Sequence, residues 1–466
     1  MSPALEVVSP VRPASRTRQQ LEVVAAPRPA RRARQRVGPR WREWVLARQG
    51  NLGFAGVILA GALAALSAAR TYPLLPESVR PVPSSLAGVF GQGGIDLGFG
   101  GMVVVLGLMF VFYVAMVRGA DQLSARTVLT GVACLNLLVL LAPPMLSTDV
   151  FSYIAYGRIG AVYGSNPYLF GPSAIFLDPV HPYIGSQWVK TPTAYGPLFT
   201  GLSYLFAPLT IAANVIAYKA IAAVSSLVIV LVVWTAARLR SLNPVKAVAL
   251  VGLNPVIVLY GVGGGHNDLL MLALMLTGIY VLLRQRQRAS GALLVAAVAV
   301  KLTAGLMLPF ALARNGPGRA GSSDRRALLT GAGITAGVVA VFSLAVFGTA
   351  PVHLIGTLQS IQSQGGLHSV PGLVLALLGH VALMSVIGLV LEAVLVACLG
   401  WLVWRVWRGE LDWIRGGGWA TVLILCTTGL LVPWYVTWLV PLAALTRDRR
   451  LLAATIVLTG VALTTL

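Results

Sequence analysis

The stretch LSTDVFSYIAYGRIGAVYGSNPY, residues 146–168, decides how the chain is read. An apolar run over residues 127–146 precedes it and is long enough to cross a bilayer. Asp149 therefore falls where a membrane helix meets water, at the head of a second helix-like stretch. At helical spacing Asp149, Tyr153, Tyr156 and Tyr163 share one face, while Phe151, Ile154 and Val162 lie largely off it. The spacing predicts an external surface helix, apolar side down, presenting a carboxylate and hydroxylated rings. A plainer reading competes with it. Ser147-Thr148-Asp149 is a good capping run, and Asp149 then only N-caps the helix.

The chain has 466 residues, of which 57% are hydrophobic and 11% charged, with a mean hydropathy of +0.81. That balance excludes a soluble globular domain and predicts an all-α polytopic membrane protein. Cys134, Cys398 and Cys426 all lie in apolar runs and have neither disulfide nor metal spacing. Residues 1–50 carry eleven Arg against three Glu and no continuous apolar stretch. They read as a basic, disordered cytoplasmic arm whose RRARQR cluster can touch anionic membrane lipids. Residues 51–466 read as one membrane-embedded domain. Apolar spans are expected near 52–69, 99–117, 127–146, 212–237, 247–262, 269–283, 327–347, 381–404 and 417–433. A Trp-rich segment at 434–446 and a last run at 451–466 follow, for about 11–13 transmembrane helices in all.

The basic residues set the orientation. With the amino terminus cytoplasmic, the inner arm and loops hold 29 of the 35 Lys and Arg, a strong positive-inside bias. This accounts for the formal charge of +21 without nucleic acid. It also places Asp149, the 164–198 loop and His266-Asn267-Asp268 outside. Residues 290–313 are apolar yet flanked by Arg on both sides, with Lys301 midway. The expectation is a broken helix near Lys301, two half-length helices with both ends cytoplasmic, tolerated where it lines a cavity.

Four groups of residues have the chemistry for a site. Asp149 lies with Tyr153, Tyr156 and Arg158. The Pro-rich loop 166–199 holds Lys190 and Tyr195 and is stiff enough to be ordered. GGGHNDLL, residues 263–270, offers His266, Asn267 and Asp268 after three glycines that permit a tight turn. Lys301 is ionisable at mid-depth, a functional hypothesis by default, with snorkelling as the alternative. Trp434 and Tyr435, in PWYVTW, are either part of that site or an interfacial aromatic belt. His266 and Asp268 are either ligand groups or ordinary loop residues bonding a helix start. One His beside one Asp is a weak metal signature, so a divalent metal stays open. Together these residues suit a site open to lipid, with a base in Asp149 and cations for a phosphate in Arg158, Lys190 and Lys301. Such a site fits sugar transfer from a lipid phosphate better than from a nucleotide. A transporter using Lys219, Lys301 and Glu392 is the rival, although no internal repeat is visible.

STDVFSYIAYGRIG with NPY, TPTAYGPLF, NPVIVLYGVGGGHNDLLM and AVKLTAGLMLP, in that order, resemble the polyprenol-phosphate-mannose-dependent α-(1→6)-mannosyltransferases of actinobacteria. The likeness is strong over residues 141–314 and looser around PWYVTWLVP. It implies a GT-C fold with an external site and no further cofactor that is certain. It also implies a polyprenyl-phosphate-mannose donor and a lipid-linked mannan acceptor. Asp149 stands at the position of the family's base, and His266 to Asp268 with Lys301 at its donor site. Many GT-C enzymes carry an external soluble domain after the bundle, and no stretch here matches one. Transfer of another lipid-linked sugar is not separated by spacing.

Overall fold

Every regular element among the described residues is helical. The structure, a computed structural model, describes residues 40–67, 83–89, 91–317, 319–363, 369–379 and 384–464. The expected basic arm, apart from its last residues, and the first part of the 72–98 loop lie outside them. The chain divides into the units Met1–Leu46 and Ala47–Leu466, and the site lies in the second.

The helices run α1 Arg40–Ser67, α2 Gly98–Arg118, α3 Ala125–Leu141, α4 Asp149–Ala161, α5 Pro197–Phe206 and α6 Ile211–Leu239. Next come α7 Pro244–Gly252, a π-helical segment Val256–Gly263, α8 Asp268–Leu283, α9 Gln287–Val300 and α10 Met307–Ala313. Then come α11 Arg319–Phe347, α12 Leu354–Ser363, α13 Val370–Leu377, α14 Met384–Trp407 and α15 Trp413–Thr427. A 3-10 turn Pro433–Trp438 leads into α16 Val440–Ala444 and α17 Arg449–Thr464. Five of the described helices are long and apolar enough to cross a membrane, or six counting the bent pair of α7 and the π segment. Five apolar pieces of 10 to 17 residues accompany them. The outward faces of α11 and α14 are apolar, with Val341 69% and Leu389 72% exposed. Faces like these belong against lipid. The protein is a polytopic all-α membrane protein.

Two breaks in these helices position the site. At the first, Pro255 has no N–H to continue α7, and the chain bends by 52°. Asn254 Oδ1 accepts from the amides of Val256 and Ile257, and its Nδ2 donates to the Tyr113 and Thr459 hydroxyl oxygens. The turn after the segment passes through Gly265, whose φ of 68° favours glycine, and α8 starts three residues later. At the second break α9 ends, Lys301 is extended, and a 3-10 turn Leu302–Leu306 leads into α10. This is the expected broken helix near Lys301. The amide of Gly196 donates to Val300 O at 3.0 Å, so the Pro-rich loop docks on that break.

The Pro-rich loop is ordered as expected, through the short turns Pro172–Ile175, His181–Tyr183 and Ser186–Trp188. The surface helix needs correction. In α4, Asp149 through Gly157 and Ile159 are all buried, the tyrosines and the apolar residues alike. The helix packs on α5 and α6, Phe151 stacks on Tyr183, and Tyr153 sits edge-on to Tyr195 and Phe199. A helix without a charged stripe has no face that prefers water, and here both sides are covered. The 434–446 segment is the 3-10 turn plus α16 rather than a span.

The opposite end of the bundle collects the basic loops. Arg240 pairs with Asp412 at 3.0 Å and Arg415 with Asp448 at 2.6 Å. Arg447 donates to Ser241 O, and Asn243 to Asp121. Loops assigned to one side from charge alone therefore meet at one end.

Candidate active site

Asp149 is the first residue of α4, but it does not cap the helix. The cap position is Thr148, which makes no side-chain cap bond. The Asp149 amide donates instead to Ser147 Oγ at 3.2 Å. Its carboxylate lines a cavity of about 620 Å³, counted with the open mouth, together with Tyr156, Tyr195, Lys301, Trp434 and Tyr435. Burial pushes the Asp149 carboxyl up to about 7, an effect larger than the opposing pull of Lys301. Asp149 Oδ2 lies 3.7 Å from His266 Nδ1. Burial, reinforced by Lys301, holds His266 well below its ordinary range, so its imidazole is neutral.

Lys301 reaches this cavity because the broken helix ends there. Its ammonium donates to Asp268 Oδ1 at 2.7 Å, and Trp438 Nε1 donates to the same oxygen at 2.6 Å. It also lies 5.0 Å from the Tyr435 ring, 5.4 Å from Trp438 and 5.8 Å from Tyr195. Lys301 does not snorkel: Asp268 is its partner, and Glu392 is exposed on α14. Trp434 stacks on His266 with centroids 4.0 Å apart, and Tyr435 stacks on Trp438 at 4.3 Å. Trp434 and Tyr435 thus line the cavity and stack on the residues behind it, the arrangement a site requires. Among the described residues, both His266 nitrogens, both Asn267 amide atoms, Asp268 Oδ2 and Ser152 Oγ are buried without a hydrogen-bond partner. Such a concentration is unusual outside a site.

Six of the expected residues do not line the cavity: His266, Asn267 and Asp268 are buried beside it, and Arg158, Lys190 and Tyr153 lie elsewhere. Arg158 Nε binds Asp178 at 2.7 Å and its Nη1 donates to Ala207 O. Asp178 also accepts from Tyr163 and the Val180 amide, so this pair fastens the loop to α4. Lys190 is exposed on the loop and does not line the cavity. Tyr153 lies behind the wall, packed against Tyr195. Sequence reasoning passed over Gln362 of α12, whose side-chain oxygen accepts from Thr428 and from the Gly429 amide at the cavity rim. It also passed over Ser152, Trp188 and Thr191, which no local pattern distinguishes. Among the described residues no three His, Cys, Asp or Glu converge to hold a metal.

The family described as alpha-(1->6)-mannopyranosyltransferase, N-terminal domain, matches residues 48–315, and MptB C-terminal domain matches residues 361–466. Alpha-(1->6)-mannopyranosyltransferase A of Mycobacterium tuberculosis is 31% identical over 444 residues, covering 88% of this chain and 83% of that protein. A second alpha-(1->6)-mannopyranosyltransferase of M. tuberculosis is 29% identical, over 66% of this chain and 63% of its own length. Alpha-(1->6)-mannopyranosyltransferase B of Corynebacterium glutamicum is 26% identical, over 66% of this chain and 56% of its own. No solved structure matches. The amino-terminal family match spans both helix breaks and the Asp149, His266 and Lys301 segments that meet at the cavity, and the chain belongs to the alpha-(1->6)-mannopyranosyltransferase family.

Proposed function

We propose that the protein is an inverting mannosyltransferase that moves mannose from polyprenyl-phosphate mannose to a lipid-linked mannan acceptor on the external face of the membrane. The observation that carries this reading is a carboxylate poised near neutrality beside a buried cation, in a cavity with aromatic walls. Asp149 takes the proton of an acceptor hydroxyl as that oxygen attacks the anomeric carbon. The carbon–oxygen bond to phosphate breaks, and the electron pair leaves with the lipid phosphate. Lys301 meets that developing charge. Its ammonium has three donors and Asp268 takes one of them. Arg158 and Lys190 have no part in this scheme. His266, Asn267 and Asp268 are buried beside the cavity, where His266 backs Asp149 and Asp268 holds Lys301. Leu358, Ile361, Leu430 and Val432 give one side of the cavity an apolar surface suited to the prenyl chain. The transporter reading loses support, because Lys219 is bonded to backbone carbonyls and Glu392 faces outward.

Membranes holding the protein should move label from radiolabelled polyprenyl-phosphate mannose to a mannan-type acceptor. Label moving only from a nucleotide-linked mannose would contradict the reading. In intact cells a cysteine at Leu177, which is 83% exposed, should react with an impermeant thiol reagent, and one at Ser323 should not. The opposite pattern would put the site on the cytoplasmic face.

A further inference from the structure

A buried lysine that the transfer chemistry does not use holds the segment carrying Asp149. Lys219, in the third turn of α6, is 1% exposed. Its ammonium donates to Ala142 O and to Pro143 O, the latter at 2.9 Å. These carbonyls lie just past the end of α3, where helix carbonyls lack intrahelical partners and a cation meets the negative end of the dipole. Pro143 and Pro144 offer no N–H that could replace it. Beyond them the turn is held tightly. The Met145 amide donates to Gly263 O at 3.1 Å, and Leu146 is left-handed with a φ of 56°. Asp149 follows three residues later.

The same side chain supports the other half of the site. A Cβ on Gly265 would lie 3.3 Å from Lys219 Cγ, and His266 is the next residue. One lysine therefore touches both turns whose ends bring Asp149 and His266 to 3.7 Å.

We propose that Lys219 is a positioning residue: its ammonium fixes the turn before Asp149 and its stem braces the turn before His266. The proposal rests on the reading of Asp149 as the base. Asp149 faces His266, Asp268, Lys301 and the hydroxyls of Tyr153, Tyr156, Tyr195 and Tyr435, and none of these groups is itself altered by a change at Lys219. Loosening the turn admits water to Asp149, which weakens the burial that raises its pKa.

The test uses the full chain with Lys219→Met and, in parallel, Asp149→Asn. Lys219→Met should keep the donor KM within about twofold and lower kcat about 10- to 100-fold, the scale of a small misplacement. The acid limb of its kcat profile should move to lower pH, and amide exchange over residues 142–150 should quicken. A purely structural lysine would lower Tm and leave the limb and the kcat-to-KM split unchanged, which would overturn the proposal. If Lys219→Met does not fold, Lys219→Arg keeps the cation but displaces it. That variant should show a lower kcat and a shifted limb, and wild-type values for both would overturn the proposal. An active Asp149→Asn would remove the base reading instead. The exchange measurement remains decisive in that case, because unchanged protection over 142–150 rules out the clamp whatever the base.

Discussion

At the end of the bundle that holds Asp149, the ionisable groups of the site are buried and are held by one another. Lys301 pairs with Asp268, Asp149 lies against a neutral His266, and aromatic rings close the space around them. At the opposite end they are many and partly exposed. Arg415 is 47% exposed at the side chain beside Asp448, and Arg240 is 20% exposed beside Asp412. The contrast separates two uses of charge. Exposed pairs record which side of the membrane a loop keeps to, and each adds little stability. A buried pair carries a large desolvation penalty, and removing one partner strands the other. Among the described residues the most buried Lys or Arg pair is the one at the cavity.

The comparison can be broken at the buried pair first. Lys301→Met strands Asp268 and should destabilise the protein by about 3–5 kcal/mol, measured by thermal or denaturant unfolding in detergent. Lys301→Met with Asp268→Asn should recover most of that loss but not the transfer activity. Full stability in the single variant would mean that the pair is not buried as described. A smaller effect comes from pH. Asp149 must be ionised to accept a proton, and its pKa of about 7 lies above the ordinary carboxylate range. The value of kcat should therefore fall about tenfold per unit as pH drops below 7. A flat profile down to pH 5 would separate Asp149 from the proton transfer. The smallest effect belongs to the other end. Arg415→Ala should change stability by less than about 1 kcal/mol and leave transfer unchanged, because Asp448 also accepts from Trp419 and from the amides of Arg450 and Leu451.

What the sequence discloses follows the same division. The apolar runs announce the helices, and Arg on both flanks of an apolar stretch with Lys301 midway announces the broken helix. Asp149, His266 to Asp268 and Lys301 are legible as a group because polar residues next to membrane helices are rare. Pairing is not legible. Lys301 and Asp268 lie 33 residues apart, and only the antiparallel return of α9 beside α8 brings them together. Arg158 looks free until an irregular loop delivers Asp178 to it. The tyrosine face of α4 satisfies the spacing of a surface helix, yet spacing alone does not reveal a loop folded over that face. Trp434 and Tyr435 have the composition of a belt, and only the position of the Pro433–Trp438 turn against α8 makes them walls of a cavity.

The central claim, that Asp149 is the base of a sugar transfer, is tested most directly by kcat for Asp149→Asn with the lipid-linked donor. Asn keeps the size of the side chain and much of its capping ability, so insertion and thermal stability should stay close to those of the unchanged protein. Loss of a positioned general base lowers rates by about 10²- to 10⁴-fold, and kcat should fall within that range with the donor KM little altered. A folded variant that retains most of its kcat would contradict it.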